Sequence, residues 1–226
     1  MKLSSIFRFI KSVNPWKTIL FNFHYFPFRV AVKLPFFIYW RSDLYIMKGQ
    51  ISINAPITTG MVKFGVHSLG TRDTFYSRTM WDVSGTLTIG GVANIGRGTK
   101  ISIGKDGILK LGDNFTITGD SEIICQHDVS FGNDCLLSWD ILIMDTDFHD
   151  IMDPNKNVIN NPKSVRIGNH VWIGCRNTIL KGVNIADDII ISANSTITRS
   201  FTDKNTIIGG NGKDSHIIKT DIFWRM

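Results

Sequence analysis

Only three cysteines occur in the 226 residues, Cys125, Cys135 and Cys175, and none forms a Cys-x-x-Cys pair. An odd, scattered set supplies neither a disulfide framework nor a zinc knuckle, and it favours a reducing compartment. Long apolar runs are missing too. Charge interrupts every stretch before it reaches the roughly 18 residues that a membrane-spanning helix needs. The N-terminal stretches also lack the small-residue cleavage site of a secretory signal. The expectation is a cytoplasmic protein. Proline is scarce, at six, and absent from residues 57–153.

Net charge is lacking over most of the chain and concentrated at its start. Residues 1–48 carry eight Lys/Arg against the single acid Asp43, whereas the remaining 178 residues hold 17 basic and 18 acidic side chains. A balanced body excludes a nucleic-acid groove there, and the basic start points to an anionic surface. That first segment also holds 13 of the 25 aromatics, including Trp16, Phe21, Phe23, Phe28, Phe36 and Trp40. Aromatic rings beside Lys and Arg suit the headgroup layer of a bilayer. They equally suit the cap that a repeat domain needs on its first unit. Both readings of residues 1–48, cap and peripheral membrane contact, stay open.

From residue 49 to residue 202 the texture is that of a repeat. Ile167, Ile173, Ile179, Ile185, Ile191 and Ile197 fall at a fixed period of six, and glycine follows many aliphatic positions, as in Ile89-Gly90, Ile95-Gly96 and Ile173-Gly174. Six residues turn an α-helix through about 600°, so no single helical face collects these positions. Short strands separated by tight corners do collect them, with the aliphatics stacked inward turn upon turn. The glycines then provide the corner conformations that side chains resist. Some early steps take eight residues, as from Ile103-Gly104 to Leu111-Gly112, which predicts bulged corners there. Residues 147–165, DFHDIMDPNKNVINNPKSV, interrupt the repeat, and insertions of this kind lie on binding faces. Residues 203–226 form a C-terminal tail.

The run Val165–Ser200, VRIGNHVWIGCRNTILKGVNIADDIIISANSTITRS, resembles the hexapeptide-repeat acyltransferases, and within them the sugar O-acetyltransferase branch. The likeness extends back to about Gly85. It implies an all-β fold, a left-handed parallel β-helix of triangular cross-section, an exception to the right-handed crossover rule. It also implies a homotrimer, acetyl-CoA as acyl donor, no metal, and a sugar acceptor, free or lipid-linked, in surface polysaccharide assembly. Two departures stand out: Ala186 replaces the usual Gly after Ile185, and GGNGKDSHIIK replaces the usual Gly-x-Pro-Ala-Lys tail.

The resemblance places the catalytic histidine at His149, in DTDFHD. Acetyl transfer to a hydroxyl needs its proton removed during attack, and an imidazole is suited to that at neutral pH. Asp145 and Asp147, two apart on a strand, share a side and are candidates to orient His149 or to bind the acceptor. The likeness further implies that Trp172 projects outward along the donor groove and that Gly174 lets substrate approach the backbone. The Cys175 amide would face the oxyanion, and Ala193, Thr198 and Arg199 would contact CoA. Asn157, Asn160 and Asn161 are available to sugar hydroxyls. His24, His67, His127, His170 and His216 are expected to be structural or exposed.

Other readings share the fold: an N-acetyltransferase for amino sugars, a serine acetyltransferase, or a non-enzymatic scaffold. The metal-dependent carbonic anhydrases of this fold need a His pair five residues apart. Met144 and Pro154 occupy those positions around His149 and exclude it.

Overall fold

A computed structural model describes residues 12–66, 70 and 76–225. His67 and the first basic and aromatic residues, Lys2, Phe7, Arg8, Phe9 and Lys11, lie outside the described residues. The chain winds as a coil with three flat faces. The first face runs from strand Phe36–Ile38 to His216–Lys219, the second from Ser42–Met47 to Asn211–Gly212, and the third from Gln50–Ile53 to Asn184–Ile185. Each coil visits the faces in turn, and its strands pair in parallel with those of the next coil. Among the paired strands of the described residues, the last pairing reverses: His216–Lys219 lies antiparallel to Ile207–Gly209.

Alternation along each short strand sends one residue in and the next out. On the second face Trp81, Ile101, Ile123, Ile143, Ile179 and Ile197 stand in register, one per coil, and all are buried. Burying each such side chain is worth roughly 1.5–3 kcal/mol. The columns on the three faces therefore hold the coil together without disulfides.

Coil length varies as the eight-residue steps predict. Lys100 pairs with Glu122 and Glu122 with Leu142, so the early coils take 22 and 20 residues. Thr178 pairs with Thr196, giving 18 where the period of six is strict. The glycines, however, act differently from the expectation. Gly96 and Gly174 do not have positive φ; the left-handed corner positions go instead to residues such as Asn114, Asp134, His170 and Asp188. Short polar side chains tolerate that conformation. Gly96 is glycine because a Cβ there would lie 2.0 Å from the Thr118 carbonyl oxygen of the next coil. Coil-to-coil packing, not backbone rotation, sets that position.

The first coil is closed by helix α1 (Pro15–Tyr25), followed by the single turn α2 (Phe28–Ala31). Asn14 caps α1 by accepting the Lys17 N–H, and Pro15 opens it. Phe21 packs edge-on against Trp81 and also against Phe36, at centroid distances of 4.9 and 4.8 Å. Buried Asn22 donates to the Phe36 carbonyl and accepts its N–H, while Thr18 Oγ1 accepts from Ile38 N–H. These bonds satisfy the free edge of the first strand, which would otherwise template aggregation.

Candidate active site

The coil is interrupted between Leu142–Met144 on the second face and Val165–Ile167 on the third. The excursion thus ends one residue earlier than expected, since Val165 already pairs with Val129. It leaves and re-enters at the corner joining these faces. Its own turns are polar: Asp153 accepts from the Asn155 and Asn157 backbone, and the Met152–Val158 bridge narrows it into a small hairpin.

His149 is exposed near the root of this loop. Its N–H donates to the Asp147 carbonyl (2.7 Å), and its own carbonyl accepts from Asn160 Nδ2 (2.8 Å). No partner engages the imidazole among the described residues. Asn160 also donates to Asp147 Oδ2 and accepts the Ile151 N–H, tying both limbs of the loop together. Lys181, at the matching corner of the next coil, reaches back with its largely covered ammonium to Asp147 and to the Asn160 carbonyl. Hydrogen bonds from Lys181 and then Asn160 hold the Asp147 carboxyl below the ordinary carboxylate range. Lys181 is the member of this cluster that sequence reasoning missed. Chain distance hides it, because a loop of about one coil's length separates it from Asp147.

Asp145 does not join them. It is fully buried, and its two oxygens accept the backbone N–H groups of Gln126, His127 and Asp128, each at 2.8 Å. The carboxylate is committed to the corner of the preceding coil, and no hydrogen bond links it to His149. Orienting His149 and binding the acceptor therefore fall away as roles for Asp145 in this geometry. Strand alternation alone did not reveal this, since Asp145 and Asp147 are separated by the bend at which the chain leaves the coil.

The residues expected at the donor side lie elsewhere on the triangle. Trp172 sits on the first face, points outward and is 37% exposed, as the narrow coil requires. Its Nε1 donates to Ser138 Oγ at 3.3 Å. Trp224 of the tail tilts against it at 5.9 Å, stacks on His170 at 4.2 Å and donates to the His170 carbonyl. Sequence reasoning gave no signal for Trp224, which follows the last repeat.

Gly174 and Cys175 form the corner between the first and second faces. A Cβ on Gly174 would lie 2.8 Å from the Ala193 nitrogen and the Ile191 oxygen, so the next coil, not a substrate, occupies that space. Correspondingly the Gly174 N–H donates to the Ile191 carbonyl. The Cys175 carbonyl accepts from Asn194, while its N–H has no acceptor among the described residues. Ala193 is exposed directly above. Thr198 and Arg199 are exposed at the other corner, the one that carries His149, with the guanidinium 4.9 Å above the Phe201 ring. One chain therefore groups His149, Asp147, Asn160, Lys181, Thr198 and Arg199 at one corner. Trp172, Gly174, Cys175 and Ala193 stand one face away.

The remaining histidines hold local contacts. His24 meets the Met47 carbonyl, His216 the Asp214 carbonyl, and His170 the Asp188 carboxylate at 2.9 Å. His127 is exposed, with only its backbone bound to Asp145. Burial pushes the Cys125 thiol up to about 12 and that of Cys135 to about 11, which leaves neither as a nucleophile.

The coil and its loop define an all-β parallel β-helix of hexapeptide repeats, the fold class that the sequence predicted. Comparisons with known proteins agree on the class of relatives. No protein-family model matches the chain. It is 30% identical over 129 residues to a polysialic acid O-acetyltransferase of Escherichia coli O1:K1, covering 57% of this chain and 39% of that one. It is 44% identical over 70 residues to the polysialic acid O-acetyltransferase of Neisseria meningitidis, covering 30% and 33%. The chain thus spans well under half the length of these curated relatives. A solved structure, that of the polySia-specific acetyltransferase NeuO, overlaps 84% of this chain and 78% of its own at 20% identity, with a TM-score of 0.46. The fold assignment rests on this chain's own strand pairing rather than on that overlap.

Proposed function

We propose that this protein transfers an acetyl group from acetyl-CoA to a sugar hydroxyl during assembly of a surface polysaccharide, capsule or lipopolysaccharide, with His149 as general base. One observation carries the reading. His149 stands exposed on a loop that leaves a rigid coil; Asn160 holds the His149 carbonyl and the Ile151 N–H, Lys181 holds Asp147 and the Asn160 carbonyl, and the ring meets no partner among the described residues. That arrangement suits a group that must meet an incoming hydroxyl at a defined position. The likeness to O-acetyltransferases supports the same reading.

The chemistry follows from the groups. The neutral imidazole accepts the hydroxyl proton as the sugar oxygen attacks the thioester carbonyl carbon. The carbon–sulfur bond then breaks, and CoA leaves as the thiol, taking up the proton from the imidazolium. The Cys175 N–H suits the negative oxygen of the tetrahedral intermediate, since a backbone donor already in position costs no reorganisation. The half-exposed Trp172 indole, backed by Trp224, offers a flat apolar surface for the pantetheine arm. Arg199 and Thr198 suit the phosphates. Asp147, pinned by Lys181, is placed to orient the acceptor.

The two groups of residues occupy different corners of one coil. A homotrimer with threefold symmetry would set the His149 corner of one copy against the Cys175 corner of its neighbour and complete the site. The acceptor would be a small or lipid-linked sugar, met at the cytoplasmic face of the membrane. The test is CoA release from acetyl-CoA by wild-type and His149→Ala protein, with free sugars and lipid-linked saccharides as acceptors. Acceptor-dependent release that disappears in the variant is expected. Equal release by both proteins would remove His149 as the base, and no turnover or CoA binding by either would favour a scaffold.

A further inference from the structure

Helix α1 carries large aromatic or aliphatic side chains on two opposite sides. At 100° per residue, Thr18, Phe21, Asn22 and Tyr25 share the side that closes the coil. Trp16, Leu20 and Phe23 fall on the reverse, spaced i, i+4, i+7, and are 78%, 61% and 45% exposed. Phe28, 72% exposed, extends this surface, its ring edge-on to Phe23 at 6.0 Å. A surface helix ordinarily turns charge outward, and a helix apolar all round is ordinarily buried. This one, capping the end of the coil, is buried on one side only. Exposed Arg29 and Lys33 border the patch, and among residues 12–48 the only acid is Asp43.

We infer that the outward side of α1, with Phe28, Arg29 and Lys33, is a docking surface for an anionic lipid bilayer. Aromatic rings enter the headgroup layer while the cations meet lipid phosphates. No described helix is long and apolar enough to cross a membrane, so contact through α1 is superficial. The same geometry sets a distance. Four strand-to-strand steps on the second face separate Ser42–Met47 from Leu142–Met144, where the His149 loop begins. At about 4.8 Å per step this is about 20 Å along the coil. With the capped end on the membrane, and resting on the reading of His149 as the base, the acceptor hydroxyl belongs to a saccharide extended away from its lipid, not to the sugar next to the headgroup.

Vesicle flotation of the full chain tests the surface without any activity readout. Binding is expected to vesicles of equal parts phosphatidylcholine and phosphatidylglycerol, and not to phosphatidylcholine alone. Raised salt should weaken it. Trp16→Ser with Phe23→Ser, or Arg29→Glu with Lys33→Glu, should each reduce binding at least about tenfold. These exposed substitutions should leave folding and transfer to a soluble sugar unchanged. No binding to the anionic vesicles overturns the inference. So does a concentration-dependent association of copies in sedimentation that the same variants abolish, since a second copy would then occupy the face. Flotation of the wild-type chain without acetyl transfer to any sugar would sink the His149 reading and leave the surface standing. Equal acetylation of short and long lipid-anchored saccharides on vesicles would overturn the distance.

Discussion

Two corners of the same coil, Gly174–Asn177 and Leu180–Val183, use their polar groups in opposite ways. At the first, Asn177 donates to the Gly174 carbonyl and accepts the Ser195 N–H, and Gly174 bonds to Ile191. Every one of these bonds stays within the coil or joins it to the next. At the second, Lys181 turns outward to Asp147 and Asn160, and the Gly182 N–H is shared between the Lys163 and Ser164 carbonyls. Those bonds go to the loop. The first corner is rigid by stacking and can present a fixed backbone; the second holds an otherwise irregular segment in place. The proposed acetyl transfer would use both, a stiff wall for the donor and a positioned base for the acceptor.

The comparison is broken most severely at the proposed base. His149→Ala should lower acceptor-dependent turnover by roughly 10²–10⁴-fold while leaving CoA affinity and thermal stability near wild type. A variant that also lost its fold would show His149 to be part of the scaffold instead.

Asp145→Ala attacks the stacking and not the chemistry. Three part-buried N–H groups lose their buried acceptor, a cost of about 3 kcal/mol. Urea unfolding should record that loss. A stable but inactive Asp145→Ala protein would return this residue to the catalytic group.

Lys181→Met tests the clamp. The loop should keep its fold but lose its register, lowering turnover by about tenfold with little change in the KM for acetyl-CoA. Hydrogen exchange over residues 147–160 should rise, and Lys181→Arg should restore part of both. Unaltered exchange in Lys181→Met would mean that the loop is held by its own hairpin.

The smallest effect is one of pH. Because its folded pKa is depressed, the Asp147 interaction contributes fully above the ordinary carboxylate value, near about 3.9, and is lost only as pH falls through the lowered value. Loop exchange, corrected for its intrinsic pH dependence, should therefore stay flat from neutral to mildly acidic solution. Loosening already at mildly acidic pH would require another titrating group.

Much of the fold was legible because its signal is local and repeated. Six isoleucines at a fixed spacing leave few alternatives, and the eight-residue steps foretold the longer early coils. The function of Asp145 was not legible, since it depends on which residues lie 17–19 positions earlier, a register that bulged corners disturb. Lys181 was hidden by the loop that separates it from its partners, and Trp224 by the absence of any pattern in the tail. The glycines misled for another reason: spacing shows where a side chain is missing but not whether rotation or crowding excludes it. His149 was singled out because the neighbouring motif fixes its place in the resemblance, while its immediate chemistry, an imidazole among acids, is common on surfaces.

The central claim is that each site takes its base from one copy and its donor wall from the next. Mixed trimers test it most directly. His149→Ala and Ala193→Trp proteins, the second blocking the exposed position above Cys175, should each be inactive alone. Co-expressed, they should recover a substantial fraction of wild-type acetyl transfer, because some interfaces then pair an intact His149 with an intact Ala193. Complete inactivity of the mixture, with trimers formed and both chains present, would contradict the shared site and confine the chemistry to a single chain.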